Sequence, residues 1–178
     1  MVYLAIPSDS DAEEIARLAN DPEIAYNVAS IGEFPHPYGL NDAGMFIEMS
    51  KNAAVEKTGY HFCVYLSGSG KVAGSAGVVS LENEKRSCEI GYWLGKEHWG
   101  KGYAKEAIIL LMAFCFNSIG IETARAKVFN FNRRSIKTIE SVGFIKEGSK
   151  DQDEIYLMER DTFKASYMEI FNNTSVSA

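Results

Sequence analysis

Cysteine and proline are scarce in this chain of 178 residues, which has three cysteines and four prolines. Cys63, Cys88 and Cys115 are odd in number, far apart in the sequence and each set in an apolar run. This pattern argues against a disulfide framework and against a zinc cluster. We therefore expect buried, reduced thiols and no metal site.

Positive charge is also in short supply. The chain has 18 Lys and Arg against 24 Asp and Glu, which gives a net charge of −6. Proteins that bind nucleic acids usually carry a basic surface, so this balance argues against a nucleic-acid partner. An acidic surface is compatible with a cationic ligand, although many proteins of other functions are mildly acidic.

Long hydrophobic runs are missing as well. No apolar stretch approaches the roughly 20 residues that a membrane-spanning helix needs. The first residues, MVYLAIPSDSDAEE, show neither the basic segment nor the cleavage-like site of a signal peptide. These two absences predict a cytoplasmic protein with no membrane partner.

The remaining pattern predicts a single domain. Hydrophobic periodicity and turn residues indicate strands at 2–6, 60–67, 71–81, 86–95, 123–130, 144–150 and 153–161, and helices at 10–21, 22–29, 42–56, 101–118 and 132–143. Asn41 or Asp42 is the expected cap of the third helix. Three strands in a row joined by short polar turns favour an antiparallel meander. The fold class is therefore α/β (α+β) on a mostly antiparallel sheet over residues 1–165, with 166–178 as a partly frayed tail.

The stretch WGKGYAKEA, residues 99–107, places two glycines between a strand and a helix. The first turn of a helix has free backbone N–H groups and a partial positive charge. Glycines let that backbone wrap closely around a phosphate, so the stretch suits a pyrophosphate. A plain strand-to-helix turn explains the same residues. A Rossmann dinucleotide site fits less well, because these glycines follow an antiparallel meander.

Three segments resemble one known family. IGYWLGKEHWGKGYAKEA (90–107) is similar to the acetyl-CoA site of the GNAT N-acetyltransferases, whose signature is Gln/Arg-x-x-Gly-x-Gly/Ala. The signature positions are Trp99, Gly100, Lys101, Gly102, Tyr103 and Ala104, with tryptophan in place of Gln or Arg. NFNRRSIKTIESVGFIKEG (130–148) resembles the family's N-x-x-S…GF segment, and FPHPYGLNDAGMFIE (34–48) resembles the acceptor-side loop of the ribosomal-protein (Rim-type) branch.

The resemblance implies a GNAT-like sheet flanked by helices and acetyl-CoA as co-substrate. The backbone of Trp93 and Leu94 would pair with the pantetheine arm, and the amides from Gly100 to Ala104 would hold the pyrophosphate. Asn132 would hold the pantetheine or the local turn. Arg133 and Arg134 would reach cofactor phosphates or remain solvated surface charges.

The resemblance also implies catalytic roles. Ser135 is the candidate donor near the sulfur, or else a first-turn helix residue bonded to backbone. Glu89 is the candidate general base, or else the partner of a neighbouring cation. Glu97 and His98 are its rivals. Phe34, His36 and Tyr38 are the candidate residues of the acceptor pocket, or else residues that pack only within their own loop.

The function implied is transfer of acetyl from acetyl-CoA to a primary amine by direct attack in a ternary complex. The amine would be a protein N-terminus or a small molecule. The alternatives are a non-catalytic acyl-CoA-binding module on the same fold and a nucleotide-binding regulatory domain. Members of this fold often dimerise, so a homodimer is an expectation by analogy.

Overall fold

The computed structural model describes residues 1–28, 34–82, 84 and 86–173. Its strands are β1 (Val2–Ala5), β2 (Tyr60–Leu66), β3 (Val72–Glu82), β4 (Ser87–Leu94), β5 (Thr123–Phe129), β6 (Ile145–Lys150) and β7 (Asp153–Glu159). Its helices are α1 (Ala12–Ala19), α2 (Pro22–Val28), α3 (Leu40–Glu56), α4 (Tyr103–Phe114), α5 (Arg133–Val142), α6 (Arg160–Ser166) and α7 (Met168–Asn173).

The strands form one sheet in the order β1-β2-β3-β4-β5-β7-β6. Strands β4 and β5 run parallel, and the other neighbours in the sheet run antiparallel. The predicted α/β (α+β) class with a mostly antiparallel sheet is therefore confirmed. The parallel pair is the place where α4 carries the chain from one half of the sheet to the other.

Helices cover both faces of the sheet. On one face α4 packs on a large core that includes Phe62, Ile90 and Leu111. On the other face α1 and α3 supply Ile15 and Ile47 to a second core. All three cysteines are buried and free, as predicted. None of the described helices has the length and apolarity to cross a bilayer.

Two helix starts differ from the sequence prediction. The N-cap of α3 is Gly39. Asp42 is the third residue of the helix, and its Oδ2 accepts a hydrogen bond from the Gly39 N–H at 2.7 Å. The predicted caps Asn41 and Asp42 were therefore wrong. Helix α4 starts two residues later than predicted, because its N-cap Gly102 has a φ of 81°.

The C-terminal segment adds two short helices to the core. Phe163 of α6 is fully buried, and the Tyr167 hydroxyl donates to the Val142 carbonyl at 3.0 Å. Phe171 of α7 packs against the larger core. The boundary predicted after residue 165 lies inside α6, and the last five residues of the predicted frayed end lie outside the described residues.

Candidate active site

The site begins where β4 and β5 separate. Their parallel pairing joins Ser87–Ile90 to Thr123–Ala126 and stops there. β4 continues to Leu94 while still paired to β3, and β5 continues while paired to β7. Buried backbone N–H and C=O groups require partners. Gly91–Leu94 therefore present an inner strand edge to which an amide-containing ligand can hydrogen-bond.

A cleft of about 450 Å³ occupies this gap. It is bounded by the free part of β4, the glycine turn, the start of α5 and one side of α2. The predicted cofactor residues that line it are Trp93, Leu94, Trp99, Gly100, Gly102, Tyr103, Ala104 and Asn132, and Ser135 lines it as well. Lys101 is exposed and is not part of the lining. Residues far apart in sequence thus meet around one cleft.

The glycine turn has the backbone that a phosphate cradle needs. Gly100 and Gly102 adopt φ values of 74° and 81°, a left-handed conformation that L side chains rarely adopt. A Cβ on either residue would have no heavy atom within 4 Å, so the positive φ, and not crowding within the protein, favours glycine here. The first amides of α4 follow directly, with the positive end of the helix dipole. The turn therefore fits the diphosphate of a coenzyme A ester.

Trp99 has a structural role at the position where the family signature has Gln or Arg. Its indole Nε1–H donates to the Leu94 carbonyl at 2.7 Å, which ties the turn to the end of β4. The Arg134 guanidinium lies over the indole, 3.8 Å from the ring centroid. Sequence reasoning missed both contacts.

Ser135 is fixed from two directions at the start of α5. Asn132 caps the helix, and its Oδ1 accepts the Ser135 N–H at 3.1 Å. The Ser135 Oγ is 2.7 Å from the Tyr92 Oη, close enough for either hydroxyl to donate. Burial raises the pKa of Tyr92 to about 12. Tyr92 therefore keeps its proton at neutral pH and can donate to Ser135, which leaves the serine proton free to point into the cleft.

Comparison with known proteins identifies this arrangement. Residues 2–145 match the family model of the acetyltransferase (GNAT) domain. The chain belongs to the GNAT acetyltransferase family. It is 33% identical over 138 residues to the N-acetyltransferase p20 of Bacillus licheniformis, an alignment that covers 78% of this chain and 75% of p20.

Two solved structures show the same fold. RimJ of Mycobacterium smegmatis, in complex with CoA-disulfide, has a TM-score of 0.78 at 18% identity and covers 90% of this chain and 82% of its own. Spermidine N-acetyltransferase of Vibrio cholerae, in complex with CoA and spermine, has a TM-score of 0.73 at 18% identity. The match covers 91% of this chain and 97% of the spermidine enzyme. The family match makes this chain an acetyltransferase that uses acetyl-CoA as its co-substrate.

The acetyltransferase places its candidate base at the closed end of the gap. Glu89 points to the same face of β4 as Trp93, and Tyr92 points to the face of Ser135. The Glu89 Oε2 is 2.7 Å from the Lys127 Nζ, and its side chain is 17% exposed. Lys127 lines the cleft and Glu89 does not. The Glu89 carboxylate therefore lies outside the cleft lining and is paired to an ammonium group that belongs to it.

The rival bases occupy different surroundings. Glu97 accepts two hydrogen bonds from Arg17, which hold the pKa of this carboxyl below its usual value. His98 is buried in the cleft wall, and burial lowers its pKa. Its Nε2 is 3.5 Å from the Glu97 Oε1, and neither ring nitrogen makes a hydrogen bond within the described part of the chain.

The predicted acceptor residues of the acetyltransferase separate into two groups. Tyr38 is buried, its N–H donates to Asn20 Oδ1 at 3.0 Å, and burial raises its pKa to about 12. The Phe34 ring lies 5.2 Å from Tyr38 and 6.0 Å from Trp93, so these aromatics adjoin the cleft through Trp93. His36 is exposed. None of the three lines the cleft, and residues 29–33 of the same loop lie outside the described residues.

Proposed function

We propose that this acetyltransferase transfers acetyl from acetyl-CoA to a primary amine by direct attack in a ternary complex. The supporting observation is that side chains from both faces of the sheet line the cleft. Tyr92 and Ser135 line it on one face, and Trp93 and Lys127 line it on the other. The two substrates can therefore meet from opposite faces. All three cysteines are buried, and none lines the cleft, which favours direct attack over a cysteine acyl-enzyme.

The chain's own residues would hold the co-substrate along its length. The turn from Trp99 to Ala104 would receive the diphosphate, and the inner edge of Gly91–Leu94 would hydrogen-bond the amides of the pantetheine. Bound there, acetyl-CoA supplies an acyl group activated as a thioester. The orientation gained by binding both substrates side by side contributes to the rate on its own.

Three further tasks fall to groups around the gap. A backbone N–H at the end of β4, near Leu94, stabilises the negative charge that develops on the carbonyl oxygen. Ser135, held by Tyr92 and Asn132, gives its proton to the departing sulfur and takes up the Tyr92 proton, which solvent in the cleft replaces. Glu89 receives the amine proton, directly or through water, after Lys127 moves aside.

The Glu89 role predicts a specific loss. Glu89→Gln removes the proton acceptor and should lower kcat/KM about a hundredfold, within the range for general bases. The matched control is Glu147→Gln, because Glu147 is another carboxylate on the sheet, paired to Arg125 at 2.9 Å. Steady-state kinetics should show unchanged turnover for the control. A loss of less than threefold in Glu89→Gln would reduce Glu89 to an anchor for Lys127.

The proposed function is tested by measuring thiol release from acetyl-CoA in the presence of a panel of primary amines. We expect amine-dependent release, together with a rise in melting temperature on adding CoA or acetyl-CoA. Stabilisation by CoA without release for any amine would favour a binding module. Stabilisation by ATP or NAD instead of CoA would favour a nucleotide-binding domain and contradict the site assignment.

A further inference from the structure

Two clusters of aromatic rings flank the gap between β4 and β5. The parallel register pairs Ile90 with Ala126, and continuing the count places Trp93 level with Phe129. The two rings therefore stand at equivalent positions on diverging strands, on the same side of the sheet. We name each cluster after the ring that its strand contributes. The Trp93 cluster consists of Trp93, Phe34 and Tyr38, and the Phe129 cluster consists of Phe129, Phe131 and Tyr26.

The Phe129 cluster leaves large aromatic surfaces in contact with solvent. Phe129 stacks on Phe131 at 4.9 Å, and Phe131 stacks on Tyr26 at 4.8 Å. Tyr26 is 63% exposed and Phe131 is 39% exposed. Tyr26 belongs to α2, and three neighbours on that helix line the cleft. A contiguous, exposed aromatic surface beside a reactive cleft indicates a binding surface for an apolar or flat group.

The charges on this face argue against a polycationic acceptor. The carboxylates of Glu89 and Glu147 are each within 2.9 Å of a Lys or Arg nitrogen. Asp153 lies opposite Phe129 in the ladder. Its Oδ1 is buried without a hydrogen bond, and among the described residues it forms no ion pair. Asp153 is on β7, on the far side of β5 from the gap, and with Glu89 and Glu147 already paired this face offers little free negative charge to the several ammonium groups of a polyamine.

From these observations, and resting on the proposed function, we infer that the acceptor is a primary monoamine carried by an aromatic or similarly flat group. The ring lies between the Trp93 cluster and the Phe129 cluster, and the amine faces the gap. Two sources share this chemistry. One is a free arylalkylamine, and the other is a peptide whose N-terminal residue is aromatic.

The test compares primary amines with and without an aromatic ring at saturating acetyl-CoA. The panel is 2-phenylethylamine, butylamine, spermidine, and the peptides Phe-Gly-Gly and Ala-Gly-Gly. We expect kcat/KM for 2-phenylethylamine or Phe-Gly-Gly to exceed that of its non-aromatic counterpart about tenfold, the size of one good aromatic contact. Whichever aromatic member reacts faster identifies the source.

A variant connects this preference to the Phe129 cluster. Tyr26→Ala should lower kcat/KM for 2-phenylethylamine by about threefold to tenfold, and that for butylamine by less than twofold. Tyr3→Ala is the matched control, because Tyr3 is 43% exposed and stacks on Tyr65 at 5.1 Å on the far edge strand. The control should leave both rates unchanged.

The outcomes separate the two proposals. Equal rates for 2-phenylethylamine and butylamine, or a preference for spermidine, would overturn this inference and leave the acetyltransferase function standing. Equal losses for both amines in Tyr26→Ala would also overturn it. A second readout needs no turnover: calorimetry on the CoA-bound protein should give a Kd about tenfold lower for 2-phenylethylamine than for butylamine, and equal values would contradict the inference.

Discussion

Gly102→Glu is expected to abolish measurable binding of acetyl-CoA. The residue has a φ of 81° at the start of α4, where the diphosphate is proposed to lie. A carboxylate there would face the phosphates, and two like charges about 4 Å apart repel by about 4 kcal/mol at a surface-like dielectric. With screening, we expect affinity to fall at least about a hundredfold. Thermal-shift titration with CoA measures this directly.

A second glycine provides the control for Gly102→Glu. Gly70 has a φ of 67° and, like Gly102, no heavy atom within 4 Å of an added Cβ. Gly70→Glu therefore introduces the same charge and a similar backbone strain, roughly 1 to 2 kcal/mol, in the turn between β2 and β3. It should lower the melting temperature slightly and keep the full CoA shift. If Gly102→Glu also kept that shift, the turn would not be the phosphate site.

Ser135→Ala is expected to lower kcat about a hundredfold while CoA affinity changes less than twofold. The substitution removes the hydroxyl proposed to protonate the departing sulfur, and general acids contribute roughly a hundredfold or more. The Asn132 cap uses the Ser135 backbone N–H, so alanine keeps the start of α5 intact. Single-turnover rates with saturating acetyl-CoA isolate the chemical step, and an unchanged rate would remove Ser135 from the mechanism.

Tyr92→Phe distinguishes the two hydroxyls of this pair. It leaves the Ser135 hydroxyl in place and removes its partner 2.7 Å away. The rate should fall less than in Ser135→Ala, because the donor remains but is less well oriented. A larger loss in Tyr92→Phe than in Ser135→Ala would make Tyr92 the proton donor. Denaturant unfolding provides the control, since a lost hydrogen bond costs about 1 kcal/mol.

The sheet could be predicted because its signals are local. β2 and β3 are separated by a short glycine-containing turn, and alternation along β4 correctly assigns Trp93 and Tyr92 to opposite faces. The helix boundaries were less accurate. Gly39 and Gly102 act as N-caps without side chains, and a glycine before a helix is also a common turn residue.

The candidate site could be predicted only where its residues lie in one segment. The turn from Trp99 to Ala104 is such a segment, and Gly100 and Gly102 have the left-handed backbone that its glycines indicated. The Tyr92–Ser135 hydrogen bond joins residues 43 positions apart, and the Glu89–Lys127 ion pair joins two different strands. Neither partner has a sequence signal, because the first contact depends on how α5 packs against β4 and the second on the parallel register of β4 and β5.

The short parallel ladder between β4 and β5 joins two antiparallel halves of the sheet. We call the halves plates and the ladder between them the seam. Each plate is an antiparallel unit, and four residue pairs connect them before the strands part. A ligand whose amides bond to the open edge of β4 acts as an additional partial strand at that seam. Its binding energy would oppose local opening between the plates more than it reinforces either hydrophobic core. At the proposed site, the co-substrate would therefore complete the architecture of the enzyme where it delivers its acyl group.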